Sequence, residues 1–110
     1  MIVVPDASVI LKWVLPQNIS PFQDQALAIR DAALSDNISL IVPPLWRYEV
    51  GNTLTRLIPD NALKLMTLCE SVGLTAVKAD DNWLEIAVGL VSLSKVSFYD
   101  AAYHALAIAQ

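Results

Sequence analysis

A short apolar run that stops at a carboxylate is the feature that most constrains how this chain can fold. Residues 2–4 (Ile-Val-Val) are β-branched and show no polar alternation, which is typical of a strand buried on both faces in a parallel sheet. Pro5 ends this strand because proline cannot donate to a sheet ladder. Helical spacing of apolar residues begins at Ser8, so Asp6 lies at the junction between a strand and a helix.

Asp6 has two interpretations. The carboxyl end of a central parallel strand opens into the crevice where α/β sheets bind ligands, which makes Asp6 the first candidate functional residue. Aspartate is also a favoured N-cap, so its carboxylate could serve only to accept hydrogen bonds from the first turn of the helix. The sequence around Asp6 fits both interpretations.

Length and composition limit the class of protein. With 110 residues the chain is predicted to form one domain, residues 1–110, with no linker or repeat. No apolar run approaches the roughly 18 residues of a membrane span, and the N-terminus lacks the basic region of a signal peptide, which predicts a cytoplasmic protein without a membrane partner. The single cysteine, Cys69, excludes an internal disulfide and is expected to be a small core residue.

The charge balance limits how the chain could bind a nucleic acid. Its formal net charge is −4, which argues against a broad basic face for phosphate contacts. A nucleic-acid substrate would need positive charge from another source, and a divalent cation held by carboxylates is the natural one. The hydrophobic content of 55% indicates buried strands, a protein partner, or both.

The hydrophobic pattern predicts three strands, each followed by two helices. The strands are residues 2–4, 39–42 and 74–77, and the helices are residues 8–15, 20–35, 45–57, 60–72, 82–93 and 97–110. Ser20, Asp60, Asn82 and Ser97 are the predicted N-caps, and Gly73 is the predicted left-handed helix stop. Helical crossovers between strands imply an α/β fold with a parallel sheet covered by helices on both faces.

Two further acids are expected near the same end of the sheet as Asp6. Glu49 lies about one turn into the helix after the second strand and shares a polar face with Asn52. Asp100 lies in the first turn of the last helix. Each has a simple structural explanation, because an acid near a helix N-terminus stabilises the helix dipole and Ser97 with Asp100 forms a capping box.

The three acids together suggest metal binding. If they converged at about 5 Å, each pair would repel by about 3 kcal/mol at an effective dielectric near 20, or roughly 10 kcal/mol in all. A fold keeps such a cluster only where protons, cationic side chains or a metal compensate the charge. Oxygen ligands from few protein groups are typical of Mg²⁺ or Mn²⁺.

Three motifs resemble those of PIN domains of the toxin class, the VapC-like ribonucleases of bacterial and archaeal toxin–antitoxin systems. They match in kind, order and spacing across nearly the whole chain. The matching residues are Val4-Pro5-Asp6-Ala7-Ser8-Val9 with Lys12-Trp13, Val42-Pro43-Pro44 with Glu49-Val50-x-Asn52-x-Leu54, and Tyr99-Asp100-Ala101-x-Tyr103-x-Ala105-Leu106-Ala107.

The resemblance implies a PIN-like three-layer fold and a Mg²⁺- or Mn²⁺-dependent endoribonuclease that hydrolyses RNA phosphodiesters with a metal-activated water. Asp6, Glu49 and Asp100 would be its catalytic residues and metal ligands, with Ser8 and Asn52 as polar support. It also implies an RNA substrate, a cognate antitoxin protein that packs on the apolar surface, and a homodimer.

The chain departs from the family at its C-terminal end. Family members usually continue into another strand and a segment with a fourth acid, whereas this sequence stops at Gln110. We therefore expect a sheet without the C-terminal strand, an unpaired edge on the Asp6 strand, and weak or absent ribonuclease activity. The alternative function is a catalytically weak or inactive PIN-fold interaction module that binds an antitoxin or another protein.

Other patterns carry less weight. His104 follows Asp100 by four residues, which favours a surface His–Asp pair over a catalytic base. Asp80 and Asp81 follow the third strand as in a response-regulator receiver, but that acidic pocket needs further acids beside Asp6. A haloacid-dehalogenase-like phosphatase needs Asp-x-Asp, where this chain has Asp-Ala-Ser.

Overall fold

The computed structural model describes residues 1–16, 22–78 and 80–109, and in them each predicted strand and helix is present. The elements are β1 (Ile2–Val3), α1 (Ala7–Lys12), α2 (Gln23–Leu34), β2 (Ser39–Val42), α3 (Trp46–Leu57), a 3-10 turn (Pro59–Asn61), α4 (Ala62–Glu70), β3 (Leu74–Ala76), α5 (Asp81–Ser94) and α6 (Phe98–Ala109). The predicted α/β class is confirmed. No helix in this described part of the chain has the length and apolar character needed to cross a membrane.

The three strands form one parallel sheet in the order β1-β2-β3. Val3 is paired with Leu40, and Leu40 in turn is paired with Leu74. The parallel sheet is as predicted, and so, among the described residues, is the unpaired edge of the strand that precedes Asp6, although the apolar run alone suggests a central strand. Asp6 follows an edge strand, because β1 pairs only with β2 among the described residues, and the central strand is β2.

Helices cover both faces of this sheet. Successive strand residues point to opposite faces, so Leu40 and Val42 pack with α1 to α4 whereas Ile41 packs with α5 and α6. The first of these two clusters is the larger and includes the fully buried Ile10 and Leu54. The result is a sheet between two helical layers.

Tryptophan and cysteine side chains belong to these cores, and the core position of Cys69 is as predicted. Trp13, Trp46 and Trp83 are at most 7% exposed. The indole of Trp83 donates to the carbonyl oxygen of Ala102 at 3.0 Å and so ties α5 to α6. Cys69 is fully buried, and burial raises the pKa of its thiol to about 12.

Two predicted helix boundaries are confirmed by their backbone geometry. Gly73 has φ of 96°, the left-handed conformation that favours glycine at a helix end. The Ser97 hydroxyl accepts a hydrogen bond from the backbone N–H of Asp100 at 3.0 Å, as an N-cap does.

Two other predicted caps are wrong. Asn82 lies inside α5, because Asp80 two residues earlier has extended backbone and its carboxylate accepts from the backbone N–H of Trp83 at 2.8 Å. Asp60 lies within the 3-10 turn that begins at Pro59, so α4 begins only at residue 62, without a side-chain cap. The predicted Ser20 cap lies outside the described residues, and α2 is preceded by Phe22 in the left-handed conformation.

Candidate functional site

Asp6 caps α1 from the end of β1. One carboxylate oxygen, Oδ1, accepts a hydrogen bond from the backbone N–H of Val9 at 3.0 Å and from the Ser8 hydroxyl at 2.6 Å. The capping interpretation is therefore confirmed, and the structure shows that Ser8 donates to Asp6. Both bonds use the same oxygen of an exposed side chain, so capping leaves the other oxygen, Oδ2, accessible to a ligand.

Glu49 is the half-buried member of the candidate site. It lies in the first turn of α3, and its Oε1 atom is buried without a hydrogen-bond partner in the described part of the chain. The hydroxyl of Tyr103, which α6 carries, is buried and unpartnered in the same way. The two groups approach each other closely enough for the hydroxyl to lower the pKa of Glu49, but the contact falls short of hydrogen-bond geometry.

The electrostatics of Glu49 show that the three acids share one region. Burial raises its pKa above the ordinary glutamate value of 4.5, and the negative charges of Asp100 and then Asp6 raise it further. The contact with Tyr103 opposes this rise without cancelling it. The pKa of Tyr103 is also raised, by burial first and then by Glu49, Asp6 and Asp100.

The three acids come from three separate elements. Asp6 follows β1, Glu49 begins α3 and Asp100 begins α6, where its backbone N–H is held by Ser97. Their common position was expected from the topology. Their spacing is more open than expected: in residues 1–16, 22–78 and 80–109, no group of three or more His, Cys, Asp or Glu side chains is placed so that it could hold a metal ion.

The remaining predicted positions lie around this group. Asn52 is exposed on α3, one turn after Glu49. His104 is exposed on α6. Asp80 serves as the cap of α5, which gives it a structural role in place of the receiver-like one.

Tyr103 is the residue that sequence analysis did not assign to the site. One sequence feature could have identified Tyr103: it follows Asp100 by three residues and therefore lies on the same side of α6. Its contact with Glu49 is tertiary, however, and the two residues are separated by about half of the chain. No local pattern predicts such a contact.

The donor chemistry fits a hard divalent cation. Carboxylate oxygens are the ligands that Mg²⁺ and Mn²⁺ prefer. The orphaned Oε1 of Glu49 adds a structural reason, because a buried acceptor without a partner costs about 1–3 kcal/mol and a cation would satisfy it. Asp6, Glu49 and Asp100 are the residues that would supply these oxygens.

The raised pKa of Glu49 predicts that the metal-free chain loses stability as the pH rises above about 4.5. The folded state holds the Glu49 proton more tightly than the unfolded chain does. As the pH rises from the pKa of Glu49 in the unfolded chain to its pKa in the folded state, the free energy of unfolding therefore decreases, and above the folded-state pKa it stays constant. Glu49→Gln has no proton to lose there. In urea unfolding with EDTA, this variant should exceed the parent chain in stability at pH 7 and lose most of that advantage at pH 4. An advantage of equal size at both pH values would contradict the prediction.

Comparison of the chain with family models, curated proteins and solved structures found no match. The resemblance to PIN domains therefore depends on the sequence motifs.

Proposed function

We propose that this chain is a PIN-like endoribonuclease of the VapC toxin type, which hydrolyses RNA phosphodiesters with Mg²⁺ or Mn²⁺ held by Asp6, Glu49 and Asp100. The observation that carries the proposal is the half-buried carboxylate of Glu49, whose Oε1 atom is buried without a hydrogen-bond partner and which lies within the electrostatic influence of two other acids. A purely structural carboxylate would be expected to have a partner for each buried oxygen.

Each acid would have a distinct part in the site. Asp6 is held in place by its bonds to α1, so its second oxygen has a fixed direction. Glu49 and Asp100 lie in the first turns of α3 and α6, where helix dipoles partly offset the repulsion between the carboxylates. When bound, the cation would supply Lewis-acid chemistry for phosphodiester hydrolysis and the positive charge that the protein lacks.

The proposal extends to the partners and place of action. RNA would be the substrate, an antitoxin protein would bind and silence the enzyme, and two copies would form a dimer in the cytoplasm. Exposed apolar side chains support a protein partner, since Leu84, Val88 and Leu93 of α5 are 40%, 56% and 86% exposed.

Calorimetric titration with Mn²⁺ tests the metal centre. Asp6→Asn removes one charged ligand while asparagine still caps α1, so the variant should remain folded and lose at least about tenfold in Mn²⁺ affinity. The control is Asp60→Asn, the same change at an exposed position in the 3-10 turn, which should bind as the parent chain does.

The open spacing of the carboxylates favours a second candidate, the PIN-fold interaction module whose acids serve as caps. Caps do not bind Mn²⁺ as a cluster. A parent chain that bound no Mn²⁺ would therefore contradict the metal centre and support this module, whereas binding that is lost in Asp6→Asn would exclude it.

A further inference from the structure

We infer that Tyr103 is a positioning residue of this site, whose hydroxyl orients the Glu49 carboxylate toward Asp6 and Asp100. The inference rests on the proposed function, because it concerns the geometry of the same metal ligands. It gives a role to a residue that neither the spacing of the acids nor their charge identifies.

The packing of Tyr103 differs from that of the rest of α6. The other buried residues of this helix pack against α5 in the cluster with Trp83. Tyr103 instead belongs to the larger cluster, which also contains Ile10 of α1 and Val50 of α3. Its ring therefore extends from the α5–α6 layer to the layer that carries Glu49.

Packing explains the ring of Tyr103 but not its hydroxyl. The side chain is only 5% exposed, and its oxygen is buried without a hydrogen-bond partner in the described part of the chain. Phenylalanine would fill the same space without the cost of desolvating a polar group. A function for the hydroxyl is therefore to be sought in its approach to the Glu49 carboxylate.

The two orphaned groups are complementary. The tyrosine hydroxyl can donate, and the carboxylate oxygen can accept. The two groups lie near each other, and a hydrogen bond between them would give both atoms a partner. Each carboxylate oxygen has two acceptor positions. The Glu49 oxygen that accepts from Tyr103 therefore keeps a position for a cation, and the bond would fix the direction of that position. Partners of this kind orient metal ligands and affect metal affinity.

The test compares Tyr103→Phe with the parent chain in Mn²⁺ calorimetry. Removal of the hydroxyl should weaken Mn²⁺ binding about tenfold or more. The urea midpoint of the metal-free variant should not fall, because the lost hydroxyl has no hydrogen-bond partner there. Tyr48→Phe is the matched control, since Tyr48 is 81% exposed on α3 and its hydroxyl lies in solvent.

The outcomes separate this inference from the proposed function. If the parent chain binds Mn²⁺ and Asp6→Asn does not, but Tyr103→Phe binds as tightly as the parent, the inference is overturned and the metal centre stands. If the parent chain itself binds no Mn²⁺, the proposed function fails first and the inference with it. A loss in Tyr103→Phe that Tyr48→Phe does not share supports both.

A purely structural role for Tyr103 predicts a different pattern. A ring that matters only for packing would leave Mn²⁺ affinity unchanged in Tyr103→Phe. A double-mutant comparison adds a readout without metal: the urea midpoint shifts of Tyr103→Phe and Glu49→Gln should not add in the double variant if the two groups interact. Additive shifts would count against the contact.

Discussion

Mn²⁺-dependent cleavage of RNA is expected to fall by at least about 100-fold when Glu49 is replaced by glutamine. Glutamine has nearly the same shape but no charge, so the site loses one anionic ligand while α3 stays intact. Removal of a residue that only orients a metal ligand typically lowers activity about 10–100-fold. Removal of a ligand itself should therefore lower activity by at least about 100-fold, which corresponds to an increase of about 2.7 kcal/mol in the activation free energy. Cleavage of a fluorescent single-stranded RNA by parent and variant measures the effect.

Two controls make this result interpretable. Glu85→Gln is the same chemical change at an exposed position on α5 and should leave the rate within about twofold, since surface changes away from a site have small effects. EDTA should abolish cleavage by the parent chain. Because the variant is compared with the rate of the parent itself, the prediction holds even if the absolute rate is low. Cleavage that persists in Glu49→Gln would show that another centre, or a contaminating ribonuclease, cuts the RNA.

The same substitution should stabilise the metal-free protein at pH 7, as argued from the pKa of Glu49. Opposite effects on activity and stability are characteristic of a group kept for function, since a carboxylate held near other acids is unfavourable until a cation binds. Replacement of a capping acid would instead lower stability, and replacement of a surface acid would change neither property much.

Local chemistry explains why the order of elements was predictable. The β-branched run before Pro5 and the short run before Pro43 each end where proline stops the ladder. Gly73 ends a helix because its φ of 96° is costly for other residues. These signals act over a few residues, so they can be recognised without knowledge of the whole fold.

Two kinds of feature were not predicted from the sequence: those in which neighbouring residues compete for one structural role, and those that depend on contacts between residues distant in the chain. Asp80 and Asn82 are both good caps, and only the backbone conformation of Asp80 decides between them. Strand pairing is likewise not encoded in hydrophobic periodicity: the apolar run of β1 alone suggests a central strand, and the expectation of an unpaired edge comes from the family resemblance. Among the candidate site residues, topology predicted a common region for Asp6 and Glu49 but neither their spacing nor the approach of Tyr103.

Replacement of Leu54 by alanine is expected to destabilise the protein by about 2–5 kcal/mol. Leu54 is fully buried in the larger cluster, on the same helix as Glu49. Its loss removes apolar contacts and leaves a cavity that the surrounding helices fill only in part. For a domain of this size, with a total stability of roughly 5–15 kcal/mol, this is a large fraction. Urea unfolding at pH 7 measures it.

The matched control is Leu63→Ala on α4, where the leucine is 82% exposed and the same truncation should change stability by about 0.5 kcal/mol or less. The comparison of these two variants also tests the site. The contacts that bury Leu54 fix the position of α3, and α3 in turn keeps the Glu49 carboxylate near the negative charges of Asp6 and Asp100. If Leu54→Ala cost no more than Leu63→Ala, α3 would not be packed as described. The burial of Glu49, and with it the main argument for a metal centre, would then be lost.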